Sequence, residues 1–406
     1  MDRVLEEYAR IQADMTPLTT SEPTKEYGAM KKLVTIMAAA VLVAAIGFAT
    51  NAIAADQVVN DDVAGDSSEP SPCDVAPDVT TIQAGINAAS PGDDVAVCPG
   101  TYTEDLEITT DGLTIAAVDR TDKANTVIQG ILVASPSSAF PNCGVAAGVG
   151  GTKLANINIS ANGVSITGFT IQSPAVGADE YTCGLIVDGT DNKIYQNRFL
   201  VSSGDPVSEA IQTWALGNGP IGDISGLTIV ANSFDSSTID SSPNLGYEGV
   251  FINPQTATPD RNPVIIAGNR FAGKLLRGVS AQRSFTDVKQ NTFVIALKSE
   301  DVEAALGTNT FPRGIQVFAG TTNPEVLYNN MDKGNKNEGG GEKFARGIVV
   351  GITAEDNVLA GNHVRQSEQF DCLDQSTGTG TAGTANTWIN NTGTKSSPRG
   401  ICLPAE

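Results

Sequence analysis

At 406 residues the chain could hold two average domains, and with 46 acidic against 25 basic side chains it carries a formal net charge of −21. Residues 1–54 hold six acids and five bases, so the remainder holds 40 against 20 and keeps −20 of that charge. Such a surface repels nucleic acid and anionic lipid, and no nucleic-acid-binding motif is present, so no nucleic-acid partner is expected. Glycine is high at 42 residues and aromatics are low at 5%, a balance suited to many tight corners around a narrow interior.

Residues 1–29 are acidic and patternless, and translation proper is expected to start at Met30. Met30-Lys31-Lys32, the apolar run over residues 33–50 and Ala52-Ile53-Ala54 form a basic start, an apolar core and a small-x-small cleavage site. Residues 30–54 are therefore read as an export signal cut after Ala54 or Ala55; the run is also just long enough for an uncleaved anchor. With the signal removed, the protein is expected outside the cell or on its surface, with no membrane partner. Residues 55–72, rich in Asp, Ser, Pro and Val, are expected to be a flexible lead-in. Residues 80–89 form a short amphipathic helix with Ile82, Ile86 and Ala89 on one face, and Pro91-Gly92 ends it.

Two phrases recur beyond that point. One has an aliphatic residue three before Asn and an apolar residue two after it. It runs through Asn197, Asn232, Asn269, Asn291, Asn329 and Asn362, at successive spacings of 35, 37, 22, 38 and 33 residues, and an earlier copy at Ile166 and Ile171 lacks the Asn. The other reads charged-Gly-aliphatic-x-aliphatic. It begins at Glu248, Arg277, Arg313 and Arg346, with relatives at Glu209 and Cys183. Repeats of this length with short alternating strands mark a solenoid. No stretch between copies can supply the helix of a βαβ unit, so the strands must wind as coils stacked about 4.8 Å apart. The fold class is all-β, a parallel β-helix over residues 73–370 with a short N-terminal capping helix. Asn at the same corner of every coil is expected to form a structural ladder, in which the interior members matter more than Asn197 at its end.

The segment Thr81-Ile82-Gln83-Ala84-Gly85-Ile86-Asn87-Ala88-Ala89, continued by Pro91-Gly92-Asp93-Asp94-Val95 and Pro99-Gly100-Thr101-Tyr102-Thr103-Glu104, resembles the opening turn of right-handed β-helix proteins of the pectin-lyase-like superfamily. With the repeats, the resemblance covers about residues 75–370 and implies right-handed winding. It implies no particular reaction. The Gly-His-Gly segment of polygalacturonase-like hydrolases, the Gly-x-x-Asp-Phe-x-Phe-Gly strand of pectin methylesterase-like enzymes and the Arg-x-Pro-x-x-Arg segment of pectate-lyase-like enzymes are all missing.

All six cysteines follow the signal, and an even count in an exported chain implies three disulfides among fifteen possible pairings. Loop length favours Cys73–Cys98, Cys143–Cys183 and Cys372–Cys402. With no Cys-x-x-Cys and a single histidine, His363, no metal is expected. Residues 371–406, with the Ser/Thr/Gly run over 376–385, are read as a disulfide-pinned cap or tail.

The insertions 235–247, 294–312 and 332–345 fall on one side of the stack and could wall a groove. Along its edge the repeat places Glu209, Glu248, Arg277, Arg313 and Arg346, one per coil, with Tyr247, Phe251, Trp214 and Phe318 near in sequence. Arg forks bind carboxylates and aromatic faces accept sugar rings, so an acidic polysaccharide or cell-surface glycan is the expected guest, against the plain alternative of a solvated charge ladder. Asp188/Asp191, Glu355/Asp356 and Asp371/Asp374 are the pairs that could act as acid and base or hold calcium, but each sits where turns favour Asp. No cofactor is expected, and His363 is read as a surface residue. The leading reading is a non-catalytic extracellular glycan binder or structural protein. A divergent polysaccharide lyase or glycoside hydrolase and an adhesive or ice-binding solenoid are the alternatives.

Overall fold

The computed structural model describes residues 56–60, 73, 77–120, 123–130, 153–172, 181–200, 209–213, 223–236, 248–253, 262–295, 312–331, 346–365 and 367–404. The expected signal over 30–54, the extension before it, Cys143, Trp214, Tyr247 and nearly all of the three insertions lie outside these residues. Within them the strands form three parallel sheets: sheet 1 with 11 strands, sheet 2 with nine and sheet 3 with ten. Each coil visits sheets 1, 2 and 3 in turn. Ile194 pairs with Ile166 and Ile229 in sheet 1, Phe199 with Ile171 and Phe234 in sheet 2, and Leu185 with Ile157 and Ile211 in sheet 3. This is a right-handed parallel β-helix.

The bore is one continuous apolar core running from Val59 to Ile401. Its most regular part is a column of parallel rings on sheet 2. Phe199, Phe234, Phe271 and Phe293 stack with centroids 5.0, 4.6 and 4.8 Å apart and planes within 9° of each other. The charged-Gly phrase exists because of this column. A Cβ on Gly278 would lie 2.4 Å from the Phe293 ring and 2.8 Å from the Gly314 carbonyl oxygen. Only glycine lets the backbone pass so close to the ring.

From Gly168 onward the corner between sheets 1 and 2 is always two residues long. The first of them is left-handed: Gln196, Ala231, Gln290 and Tyr328 have φ of 54–56°, Gly268 and Gly361 63°, and Asn390 51°. The second is Phe169 at the first of these corners and the repeated Asn at every later one, where the Asn side chain closes the corner. Asn269 is typical: its Nδ2 donates to the Ile229 carbonyl (2.9 Å), and its Oδ1 accepts from the Asn232 backbone N–H (2.8 Å). The same pattern links Asn197, Asn232, Asn269, Asn291, Asn329 and Asn362 and continues to Asn391, whose Oδ1 accepts from the Asn362 N–H at 3.0 Å. Asn197 ties the Phe169 N–H and the Ile166 carbonyl in the same way. Each member thus serves backbone groups of the preceding coil, and an interior member also accepts from the preceding Asn side chain, as Asn269 Oδ1 does from Asn232 Nδ2 at 3.1 Å. Asn197, with Phe169 before it, has a side-chain amide partner on one side only, Asn232, whereas Asn269 has one on each side. A shorter polar stack at the corner leading into sheet 1 pairs Asn357 with Asn386.

The N-terminal helix spans Ile82–Ala88, with Thr81 as N-cap. Its first free N–H groups, of Ile82 and Gln83, donate to the Glu104 carboxylate at 2.8 and 3.0 Å, and Ile82 and Ile86 join the core. The flexible lead-in expected over 55–72 is corrected at its start. Gln57–Val59 is a strand that pairs with Asp94–Val97 at the edge of sheet 1, because Val58 and Val59 bury against the first coil despite the polar residues that follow. The boundary at 370/371 is corrected as well. Phe370–Asp374 is a sheet 3 strand beside Arg346–Val350, and Thr387–Ile389 extends sheet 1, with Trp388 occupying the aliphatic position of the phrase. Disulfides join Cys73 to Cys98 and Cys372 to Cys402. Cys183 is also disulfide-bonded; the expected pairing with Cys143 falls outside the described residues.

Candidate functional site

The charged-Gly strands line up on sheet 3. Glu209 pairs with Glu248, Glu248 with Arg277, Arg277 with Arg313, and Arg313 with Arg346, so the five residues form one column along the stack. Gly and the next aliphatic face the bore, and the following residue returns to the outside. This makes a second outer column of Gln212, Phe251, Ser280 and Gln316. The columns are within hydrogen-bond reach of each other one coil apart, since Ser280 Oγ donates to Glu248 Oε2 at 2.7 Å.

The charges in the first column are unequally compensated. Glu248 is buried and takes a guanidinium N–H from Arg277 in addition to the Ser280 hydroxyl. Arg277 also sits 5.9 Å from the centroid of Phe318, which meets Phe251 edge-on at 6.5 Å. Arg346 Nε donates to Gln369 Oε1 at 2.9 Å, and burial lowers its pKa. Arg313 is different. It is half-buried between two other guanidinium groups, its Nε has no acceptor, and no hydrogen bond or ion pair joins its side chain to a described residue. Burial first, then the charges of Arg277 and Arg346, lower its pKa to about 10, with Glu248 opposing. A desolvated cation without a counter-ion is energetically unfavourable, and an anion is what would relieve it.

The other candidates resolve differently. Asp371 and Asp374 are buried and fully engaged. Asp371 accepts from the N–H groups of Ser367, Thr394 and Lys395, and Asp374 from Ser376, Asn386 and the Trp388 indole at 2.8 Å. They hold the final coil together. Asp191 and Asp356 occupy left-handed turn positions with φ of 58° and 56°. Asp188 has its pKa raised by burial. His363 lies half-buried at the outer side of sheet 2, its Nδ1 2.6 Å from Thr392 Oγ1. Among the described residues no three His, Cys, Asp or Glu side chains converge as a metal site would require. The structure therefore brings Glu248, Arg277, Phe251 and Phe318 together with Arg313. It adds Ser280 and Gln316, which sit at the x position of the charged-Gly-aliphatic-x-aliphatic phrase and could have been found there.

A family model described as "Protein of unknown function (DUF1565)" matches residues 61–280. No curated protein matches the chain. Among solved structures it is similar to an alginate lyase from Paenibacillus sp. str. FPU-7, at 13% identity over 80% of this chain and 95% of that one, with a TM-score of 0.49. A pectin methylesterase from Aspergillus niger matches at 10% identity over 87% of this chain and 90% of that one, with a TM-score of 0.33. The Dettilon tailspike protein matches at 13% identity over 83% and 67%, with a TM-score of 0.36.

Proposed function

The chain belongs to the DUF1565 family of right-handed β-helix proteins, and we propose that it is an exported β-helix that holds an acidic glycan against the outer face of sheet 3. The observation that carries this reading is Arg313, an uncompensated guanidinium between Arg277 and Arg346 on a face that also presents Phe251 and Phe318. An Arg fork takes a carboxylate in two parallel hydrogen bonds, and an aromatic surface takes the apolar face of a sugar ring. The disulfides Cys73–Cys98 and Cys372–Cys402 support an oxidising, extracellular setting.

A lyase or hydrolase at this place would need a free acid or base beside the cation. Glu248, the carboxylate one strand beyond Arg277, is already occupied by Arg277 and Ser280, and this favours binding without chemistry. The outer column of sheet 2 runs Thr170, Arg198, Ser233, Arg270, Thr292, Asn330, His363. That mixture lacks the repeated hydroxyl array of an ice-binding face. The test is calorimetric titration of the mature protein with oligouronates, for wild type and Arg313→Ala, at low and moderate salt. Loss of about 1.5–3 kcal/mol in the variant, the scale of a hydrogen bond to a charged group, is expected. Binding indifferent to Arg313 and to salt refutes the reading.

A further inference from the structure

Eight buried side-chain polar atoms lack a hydrogen-bond partner among the described residues, and three of them lie on two adjacent strands of sheet 3: Arg277 Nε, Arg313 Nε and Gln316 Oε1. Buried polar groups are nearly always paired, so three on one outer face point to something that completes them. Their relative placement can be read from the coil before. Glu248 and Ser280 stand one coil apart in the first and second columns and hydrogen-bond at 2.7 Å. Arg277 and Gln316 stand in the same relation one coil further on. Yet the Arg277 Nε–H and the Gln316 amide oxygen, a donor and an acceptor, are both left open. Two guanidinium donors and one amide acceptor are complemented by a group that offers anionic oxygens and an O–H together.

Resting on the reading that sheet 3 binds an acidic glycan, we infer that the bound unit carries a hydroxyl donor next to its anionic group: the anion accepts from Arg313 Nε–H and Arg277 Nε–H, and the hydroxyl donates to Gln316 Oε1. A uronic acid sugar has this pairing. A carboxylate polymer without hydroxyls lacks it. Gln316 is then a specificity-determining residue, and Arg313 supplies affinity for both kinds of ligand.

The experiment compares oligouronates with oligoacrylates of equal charge by calorimetric titration, on wild type, Arg313→Ala and Gln316→Leu. Wild type is expected to prefer the oligouronate by about tenfold, the ratio that goes with one hydrogen bond. Gln316→Leu should abolish that preference by weakening the oligouronate alone, while Arg313→Ala weakens both ligands. Should Gln316→Leu fold poorly, oligouronates with methylated hydroxyls on the wild-type protein must show the same loss. Equal affinity of wild type for both polymers, or a Gln316→Leu effect that is absent or shared by both, overturns this inference and leaves acidic-glycan binding standing. Binding of neither polymer removes the reading on which it rests.

Discussion

Asn269→Ala is the sharpest test of how the coils are held together. Asn269 is 1% exposed. Truncation removes its Oδ1 from the Asn232 backbone N–H and its Nδ2 from the Ile229 carbonyl. The amide of Asn232 keeps its bond to the Ile194 carbonyl, and Asn291 Oδ1 keeps the Asn269 backbone N–H. One buried backbone N–H is thus orphaned, while the Ile229 carbonyl, paired in sheet 1, loses its second donor, so a loss of about 1–3 kcal/mol is expected. Asn197→Ala orphans the Phe169 N–H in the same way but loses no bond from a preceding Asn side chain, so it should lose somewhat less. Asn330→Ala is the control: the residue is exposed, its backbone N–H bonds the Asn291 carbonyl without its side chain, and a change within about 0.5 kcal/mol is expected. Chemical denaturation of the three variants, followed by circular dichroism, supplies the comparison. If Asn269→Ala and Asn330→Ala differ by less than about 1 kcal/mol, the side chains are not closing the corners and the reasoning fails.

Two further outcomes follow from the geometry. Ala231 is exposed and held at φ 56°. Ala231→Gly removes a left-handed penalty of about 1–2 kcal/mol against a glycine entropy term of about 0.5–1, so a small rise in melting temperature is expected, and a fall would show that the position is unstrained. Because the pKa of Arg313 is lowered to about 10 and an anion binds only its charged form, oligouronate affinity should be flat from neutral pH upward and decline as pH rises through that value. A decline already complete near neutrality would assign the cation to another group.

Much of the architecture was legible because its rules are local. The Asn corner and the charged-Gly strand each need particular residues at fixed spacing, and both phrases kept that spacing through most of the coils. Asn391 escaped notice because Gly393 replaces the apolar residue two places on, although Trp388 stands at the expected position three places before. The left-handed residues were invisible: Gln196, Gln290 and Tyr328 carry no turn preference, and the conformation is imposed by the corner. Gln57–Val59 was hidden by the polar stretch after it. At the candidate site the column of charges could be drawn from the repeat. What could not be read was how the charges are shared out. That Glu248 is spent on Arg277 and Ser280 while Arg313 is left alone depends on side-chain reach between coils, and a linear repeat does not carry that information.

The fixed two-residue corner also bears on how such a chain can change in length. Corners from Gly168 to Asn391 admit no insertion, because one added residue would move the Asn amide off the carbonyl it serves. The variation in repeat length, from 22 to 38 residues, must therefore fall at the other two corners. A coil cut or copied between equivalent Asn positions keeps its bore, its ring stack and its amide contacts. Lineages can thus lengthen or shorten the stack by whole turns without renegotiating the interior.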